Sequence, residues 1–403
     1  MLGVCAIIIL LTPRKVAERW SRQVLSLLYQ CKTATRAEIV EASKLNAASV
    51  SHTLARLLRC GTLVMTGDLR STGGRRPGLL ALNGDAGYFV AVDVSASRIR
   101  FGVVDLVGEI RYCLEKEFPF GQKLEISELI DGIQRTLESL SSRDRARTLS
   151  IGISVPGILE DRAMVTSVNL RWHRVPLLAK LRETIDLPLT VEEDSRIGVF
   201  AEHWLGAARN TRNCLYVVAG NGIGLGCIVD GRLVEGQAGL AGEFGHINTD
   251  PKSADQCYCG KKGCLETVCS NPNIVRQYLE RLSGMVPVRP VIRAAQVFER
   301  ARQGDTNAVA VVHRAASCLG WAVSHLVNVL NPEIIVVGGD VANVAAFLPQ
   351  IQAEIDRHCI PQLRCNLKVV PSALGFHIGL KGAALAAFRM ALKDPVLLRK
   401  LGG

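Results

Sequence analysis

Apolar strand-like runs alternate with amphipathic helical stretches, twice along the chain, and this repetition restricts the fold more than any other feature of the sequence. The first round opens with Phe89-Val-Ala-Val-Asp93-Val. A hairpin-like stretch follows, Ile99–Val104 and Glu109–Tyr112 turning at Gly108, then a helix carrying Ile126, Leu129, Ile130, Ile133, Leu137 and Leu140 on one face. Strands near Leu149–Val155 and Leu187–Val191 alternate with helices near Leu177–Thr184 and Ile197–Leu205. The second round has strands at Leu215–Ala219 and Gly224–Val229, and helices over Ala294–Ala301 and Ala308–Leu330. A strand at Ile334–Val337 and a last helix from Gly379 complete it. Two similar mixed halves predict an α/β domain over residues 83–403 with a cleft between two lobes. Lobe one would take 83–205 plus the C-terminal helix, and lobe two 206–378.

The segment before this domain differs in charge. Residues 1–82 hold twelve Lys/Arg against four Asp/Glu, so they supply +8 of the chain's net +11. A polyanion partner, nucleic acid above all, follows from that asymmetry. Val16, Trp20, Val24 and Leu28 recur every four residues and predict a first helix. Thr35 with Glu38 reads as a capping box opening a second. A third helix starts at Asn46 or Ala47, buries Val50, Leu54, Leu57 and Leu58, and ends near Gly61. Its leading face, Ala47, Ala48, Ser49, Ser51 and His52, is small or hydrogen-bonding, as base edges in a major groove require. Leu63–Met65 and Leu79–Leu82 read as a hairpin whose basic loop carries Arg75 and Arg76, suited to phosphates or a narrow minor groove. The bland alternative is a solvated basic loop. Three helices, the loop and the charge together favour a winged helix-turn-helix over residues 12–82 that binds a double-stranded DNA operator. The apolar run within residues 1–11 is far short of the roughly 20 residues that span a bilayer. It reads as a disordered leader, with no membrane insertion.

Three of the thirteen cysteines, Cys257, Cys259 and Cys264, cluster while the others scatter. That suits a reducing, cytoplasmic setting with one metal site. With His246 they offer one imidazole and three thiolates, a full tetrahedral set for structural zinc that leaves no position for water. On spacing alone, a thiolate from Cys269 could replace the histidine. Glu243 and Glu266 bracket this loop, so a metal that orders it positions both acids.

Gly152-Ile-Ser-Val-Pro156-Gly157, Ala241-Gly-Glu243-Phe-Gly-His246 and Cys257-Tyr-Cys259-Gly-Lys-Lys-Gly-Cys264-Leu-Glu266 resemble the ROK family of repressors, open reading frames and kinases. The resemblance covers essentially the whole chain and is nearest to the sugar-responsive repressors. It implies an actin/hexokinase-like fold, and sugar contacts from Glu243, His246 and Glu266, with Gly157 and Asn169 on sugar-facing loops. Asp194 matches the general base of the kinases, although Glu193 stands where they usually carry Asn. Two winged helices spaced to read an inverted repeat predict a homodimer or homotetramer, and the resemblance implies, as in some relatives, a sugar-transport protein as a further partner.

An active kinase of that family opens with Asp-x-Gly-Gly-Thr, whose bare backbone cradles phosphate. Here the stretch is Asp93-Val-Ser95-Ala96-Ser97-Arg98, with both glycines gone. Gly220-Asn221-Gly222-Ile-Gly224 keeps more of the second loop. The expectation is a sugar-binding regulator of carbohydrate genes without catalytic residues, Asp194 surviving as a vestigial base. The alternative is an ATP-dependent sugar kinase.

Overall fold

The computed structural model describes residues 13–66, 78–161, 163–282, 292–344 and 347–402. The leader and the loop bearing Arg75 and Arg76 lie outside them.

The N-terminal unit runs α1 (Pro13–Cys31), β1 (Thr33–Thr35), α2 (Arg36–Ser43), α3 (Ala47–Arg59), β2 (Leu63–Thr66) and β3 (Leu79–Leu82). Helices α2 and α3 start where a capping side chain satisfies a free N–H group. Thr35 Oγ1 accepts from Glu38 N at 3.3 Å while the Glu38 carboxylate accepts from Thr35 N at 2.7 Å. Asn46 caps α3 by accepting from Ser49 N at 2.8 Å. Gly61, at φ +78°, lets the chain leave α3 in a left-handed turn. The three strands pair antiparallel in the order β1-β3-β2. Three-residue β1 is too short to show a period and was not legible beforehand. One expectation is corrected: Ser49 is buried, not on the exposed face of α3. At four-residue spacing, Ser49, Thr53 and Leu57 form a second inward row beside Val50 and Leu54.

The next region contains β4 (Tyr88–Val94), β5 (Arg98–Asp105), β6 (Ile110–Glu117), α4 (Ile126–Glu138), α5 (Ser142–Ala146) and β7 (Thr148–Val155). A small antiparallel sheet follows, β8 (Ile158–Glu160), β9 (Met164–Ser167) and β10 (Trp172–Val175), then α6 (Leu177–Arg182), β11 (Leu189–Glu193) and α7 (Asp194–Leu205). The second lobe has β12 (Cys214–Ala219), β13 (Ile223–Val229), β14 (Arg232–Leu233), α8 (Glu266–Cys269), α9 (Asn271–Leu282), α10 (Ala294–Arg302), α11 (Thr306–Leu330) and β15 (Ile334–Gly338). It closes with α12 (Phe347–His358), α13 (Pro361–Arg364) and β16 (Lys368–Pro371), and the chain ends in α14 (Ile378–Lys393) and α15 (Pro395–Lys400).

The two large sheets repeat one topology. In β11-β7-β4-β5-β6 and in β14-β13-β12-β15-β16, three parallel strands are joined to an antiparallel hairpin. The central strands are covered on both faces, hence the unbroken apolar runs. Helix α14 belongs to two cores at once. It packs along β4 and β7, and with α15 it shares a continuous apolar cluster with α1 and α3. Tyr29 stacks on Phe388 with ring centroids 4.3 Å apart. Thr62 Oγ1 donates to Leu401 O at 2.9 Å and Arg22 Nε to Leu392 O at 2.8 Å.

Candidate functional site

Between the lobes lies a cavity of about 190 Å³ lined by Gly157, Asn169, Asp194, Glu243, His246 and Glu266. All six sugar-facing residues expected from the sequence therefore converge. Backbone geometry explains how. Gly157, at φ +107°, comes so close to the Thr166 carbonyl that a Cβ would lie 2.4 Å from that oxygen. Asp194 is the first residue of α7, directly after β11. Glu266 opens α8 and accepts from Ile223 N at 3.0 Å.

The acids Asp194, Glu243 and Glu266 are all shifted upward. Burial pushes Glu243 up to about 7, the carboxylates of Glu193 and Glu266 adding to it. Glu266 is raised by burial, offset in part by the Ile223 N–H. Asp194 is raised well above the usual range, first by burial and then by Glu193. Glu193 itself is the cap of α7: its carboxylate accepts from Ser195 N at 3.0 Å, Ser195 Oγ at 2.8 Å and Arg196 N at 2.9 Å. Glu192, two residues before Asp194, does not line this cavity.

On one wall of the cavity the four expected metal ligands close together. Their ligand atoms all lie within 4.8 Å of one another, which decides for His246 over Cys269 as the fourth member. Cys259 Sγ is 3.6 Å from Cys264 Sγ, and Cys257 Sγ is 3.5 Å from His246 Nδ1. A tetrahedral ion with bonds of about 2.3 Å would set thiolates about 3.8 Å apart, so the cluster fits zinc. Burial first, then the Lys261 charge, lowers the His246 pKa, favouring the neutral ring that ligation needs. Gly260 and Gly263 turn the loop at positive φ, and Gly263 packs against the Asp250 carbonyl.

Three further residues were missed. Tyr258 lines the cavity and its hydroxyl lies 2.9 Å from His246 Nε2. Ser167, also on the wall, is 2% exposed and its hydroxyl has no protein partner among the described residues, as a ligand-facing group would. Arg100 is the third: its Nε donates to Asp93 Oδ2 at 3.1 Å, and its guanidinium lies over Phe376, 3.9 Å from the ring centroid. Only an arginine seven residues from Asp93, on the paired strand, hinted at that contact. The Asp93 carboxylate is also walled in by α14, where Gly379 has no room for a Cβ. Beside the second glycine loop, Asp340 accepts from Asn271 Nδ2 and faces Gly220.

On α3, Ala47, Ala48 and His52 are exposed, while the half-buried Ser51 hydroxyl is held by Arg36 and the Ala47 carbonyl.

The sequence pattern of the ROK family matches residues 89–389. The chain belongs to the ROK family. Its two lobes are the actin-like pair of that fold. Over 367 residues it is 29% identical to a xylose repressor from Caldicellulosiruptor bescii, covering 87% of this chain and 90% of that protein. It is 32% identical over 308 residues to a glucokinase from Halalkalibacterium halodurans, covering 73% and 93%. A solved ROK family transcriptional regulator, a homologue of the Escherichia coli MLC protein, superposes with a TM-score of 0.79 at 25% identity over 96% of this chain and 99% of that one. These similarities support a sugar-responsive transcriptional regulator.

Proposed function

We propose that the chain is a DNA-binding repressor of carbohydrate genes that senses a sugar in the inter-lobe cavity and does not phosphorylate it. The observation that carries this reading is a contrast within one cleft: the six sugar-facing residues line a cavity, while Asp93 of the first phosphate loop is paired with Arg100. Phosphoryl transfer needs phosphates positioned and their charge stabilised. An aspartate neutralised by an arginine and covered by α14 supplies neither, and Asp340 puts a negative charge beside the other loop.

Zinc held by His246, Cys257, Cys259 and Cys264 would supply no chemistry beyond fixing the loop. The loop then presents Glu243, His246 and Glu266 to sugar hydroxyls, as hydrogen-bond partners in a closing cleft. The N-terminal unit, residues 12–82, is read as a winged helix-turn-helix with α3 in the major groove. Exposed His52 and Ala48 would reach base edges, and Arg75 and Arg76 would contact phosphate or the minor groove. A homodimer or homotetramer would place two such units on an inverted repeat. A ligand moves them only insofar as it binds one lobe arrangement more tightly than another.

The test is operator binding by gel shift with a panel of monosaccharides. The expected result is release by one sugar in the wild type and sugar-insensitive repression in Glu266→Ala. A kinase reading draws support from the glucokinase similarity. A coupled assay for ADP release decides it: robust turnover that disappears in Asp194→Asn would establish the enzyme and defeat the sensor.

A further inference from the structure

Tyr258 sits between two of the metal-binding cysteines, so whatever orders Cys257 and Cys259 also fixes its backbone. The residue is 57% exposed, yet it lines the cavity and its hydroxyl meets His246 Nε2 at 2.9 Å. The two rings are edge to face, centroids 5.0 Å apart at 83°. Nδ1 is the nitrogen on the cysteine side, 3.5 Å from Cys257 Sγ. A neutral imidazole that gives Nδ1 to a metal carries its only proton on Nε2. That proton can be donated to one good acceptor, and with a metal on Nδ1 that acceptor would be the Tyr258 oxygen, 2.9 Å away. The Glu243 carboxylate, 3.8 Å from Nε2, stands too far off for a hydrogen bond.

We infer that Tyr258 sets the sensitivity of the sugar pocket, because its hydroxyl occupies the Nε2–H of His246 that a sugar hydroxyl must take over. This rests on the sugar-sensing reading above and assigns an affinity-setting role to a residue outside the expected contact set. Binding exchanges one neutral hydrogen bond for another, so the tyrosine subtracts from affinity whatever its own bond contributes. A net hydrogen bond is worth a factor of about two to ten in a binding constant. Tyr258→Phe keeps the ring and removes the competitor.

The experiment is calorimetric titration of the full zinc-loaded chain with xylose, glucose and N-acetylglucosamine, wild type against Tyr258→Phe, with zinc content measured in both. The expected result is binding about two- to tenfold tighter in Tyr258→Phe at unchanged zinc content. A residue that merely braced the loop would lower zinc content or melting temperature and could not tighten binding. Equal or weaker binding in the variant overturns the inference and leaves sugar sensing standing. If no sugar binds the wild type, both fall. Should Tyr258→Phe lose its zinc, the wild-type Nε2–H resonance of His246 gives the answer. It should shift when sugar saturates the pocket, and a resonance that stays put overturns the inference.

Discussion

The N-terminal unit and the loop from His246 to Cys264 both hold a fixed shape, but by different means. In the first, Val24, Leu25, Leu28, Ile39, Val50 and Leu57 are fully buried, and the cluster continues into Phe388, Leu398 and Leu401 at the other end of the chain. In the loop, only Cys257, Gly263 and Cys264 are buried. The first is therefore stabilised by dispersed apolar contact, which degrades gradually under substitution. The loop brings four donor atoms to one point, and under the zinc reading its shape would depend on all four. Apolar burial ties the N-terminal unit firmly to lobe one, whereas the cysteine loop can be shaped for a ligand almost free of packing demands.

The sharpest way to break the comparison is at Phe388. Truncation to Ala removes its stack on Tyr29 and leaves a hole between α1 and α14. Large-to-small changes of this kind cost about 3–5 kcal/mol. Urea unfolding should register that loss, and operator binding should fail with it. A loss under about 1 kcal/mol would mean that the two ends of the chain are not joined as described.

Cys264→Ser attacks the other region. Zinc content should fall well below one per chain and sugar affinity at least tenfold, as Glu243, His246 and Glu266 lose their common support. The urea midpoint should move less than for Phe388→Ala, since the loop buries little apolar surface. Metal analysis and calorimetry on one preparation check this, and full zinc content in the variant would contradict the four-ligand site.

A smaller effect tests the seam between the N-terminal unit and the C-terminus. Thr62→Val keeps volume and removes the hydroxyl that donates to Leu401 O, and about 1 kcal/mol of stability should go with it. No change would place the seam's strength wholly in its apolar contacts.

The contrast also explains what could be read from the sequence. Capping by Thr35, the central strands and the cysteine loop are local patterns, and each lies where its own residues put it. Ser49 was misplaced because one residue along a helix turns a side chain by about 100°, so the edge of a buried stripe is its least certain part. The Asp93–Arg100 pair and the Tyr29–Phe388 stack are contacts between elements, set by strand register or by packing over hundreds of residues. No periodicity announces them. Tyr258 is intermediate: its backbone was located by the neighbouring cysteines, but the direction of its hydroxyl depends on how the loop folds back on His246.

The least perturbing test concerns Asp194, a half-buried carboxyl at the start of α7. Burial, and then the adjacent Glu193 carboxylate, hold its pKa well above the ordinary value of about 3.9. The folded chain thus keeps a proton that the unfolded chain releases within that window. Stability from this group is greatest below the unfolded pKa and declines as pH rises through the window toward the folded pKa. Asp194→Asn imitates the protonated acid and cannot lose a proton. Its urea midpoint should match the wild type near pH 3, below the unfolded pKa of about 3.9, and fall less as pH rises above that. Parallel pH profiles would mean that Asp194 is ionised in the native state, and so available as a base. In that event the pairing of Asp93 with Arg100 would be left as the main obstacle to phosphoryl transfer, and Arg100→Ala would become the substitution to examine for emerging ATP turnover.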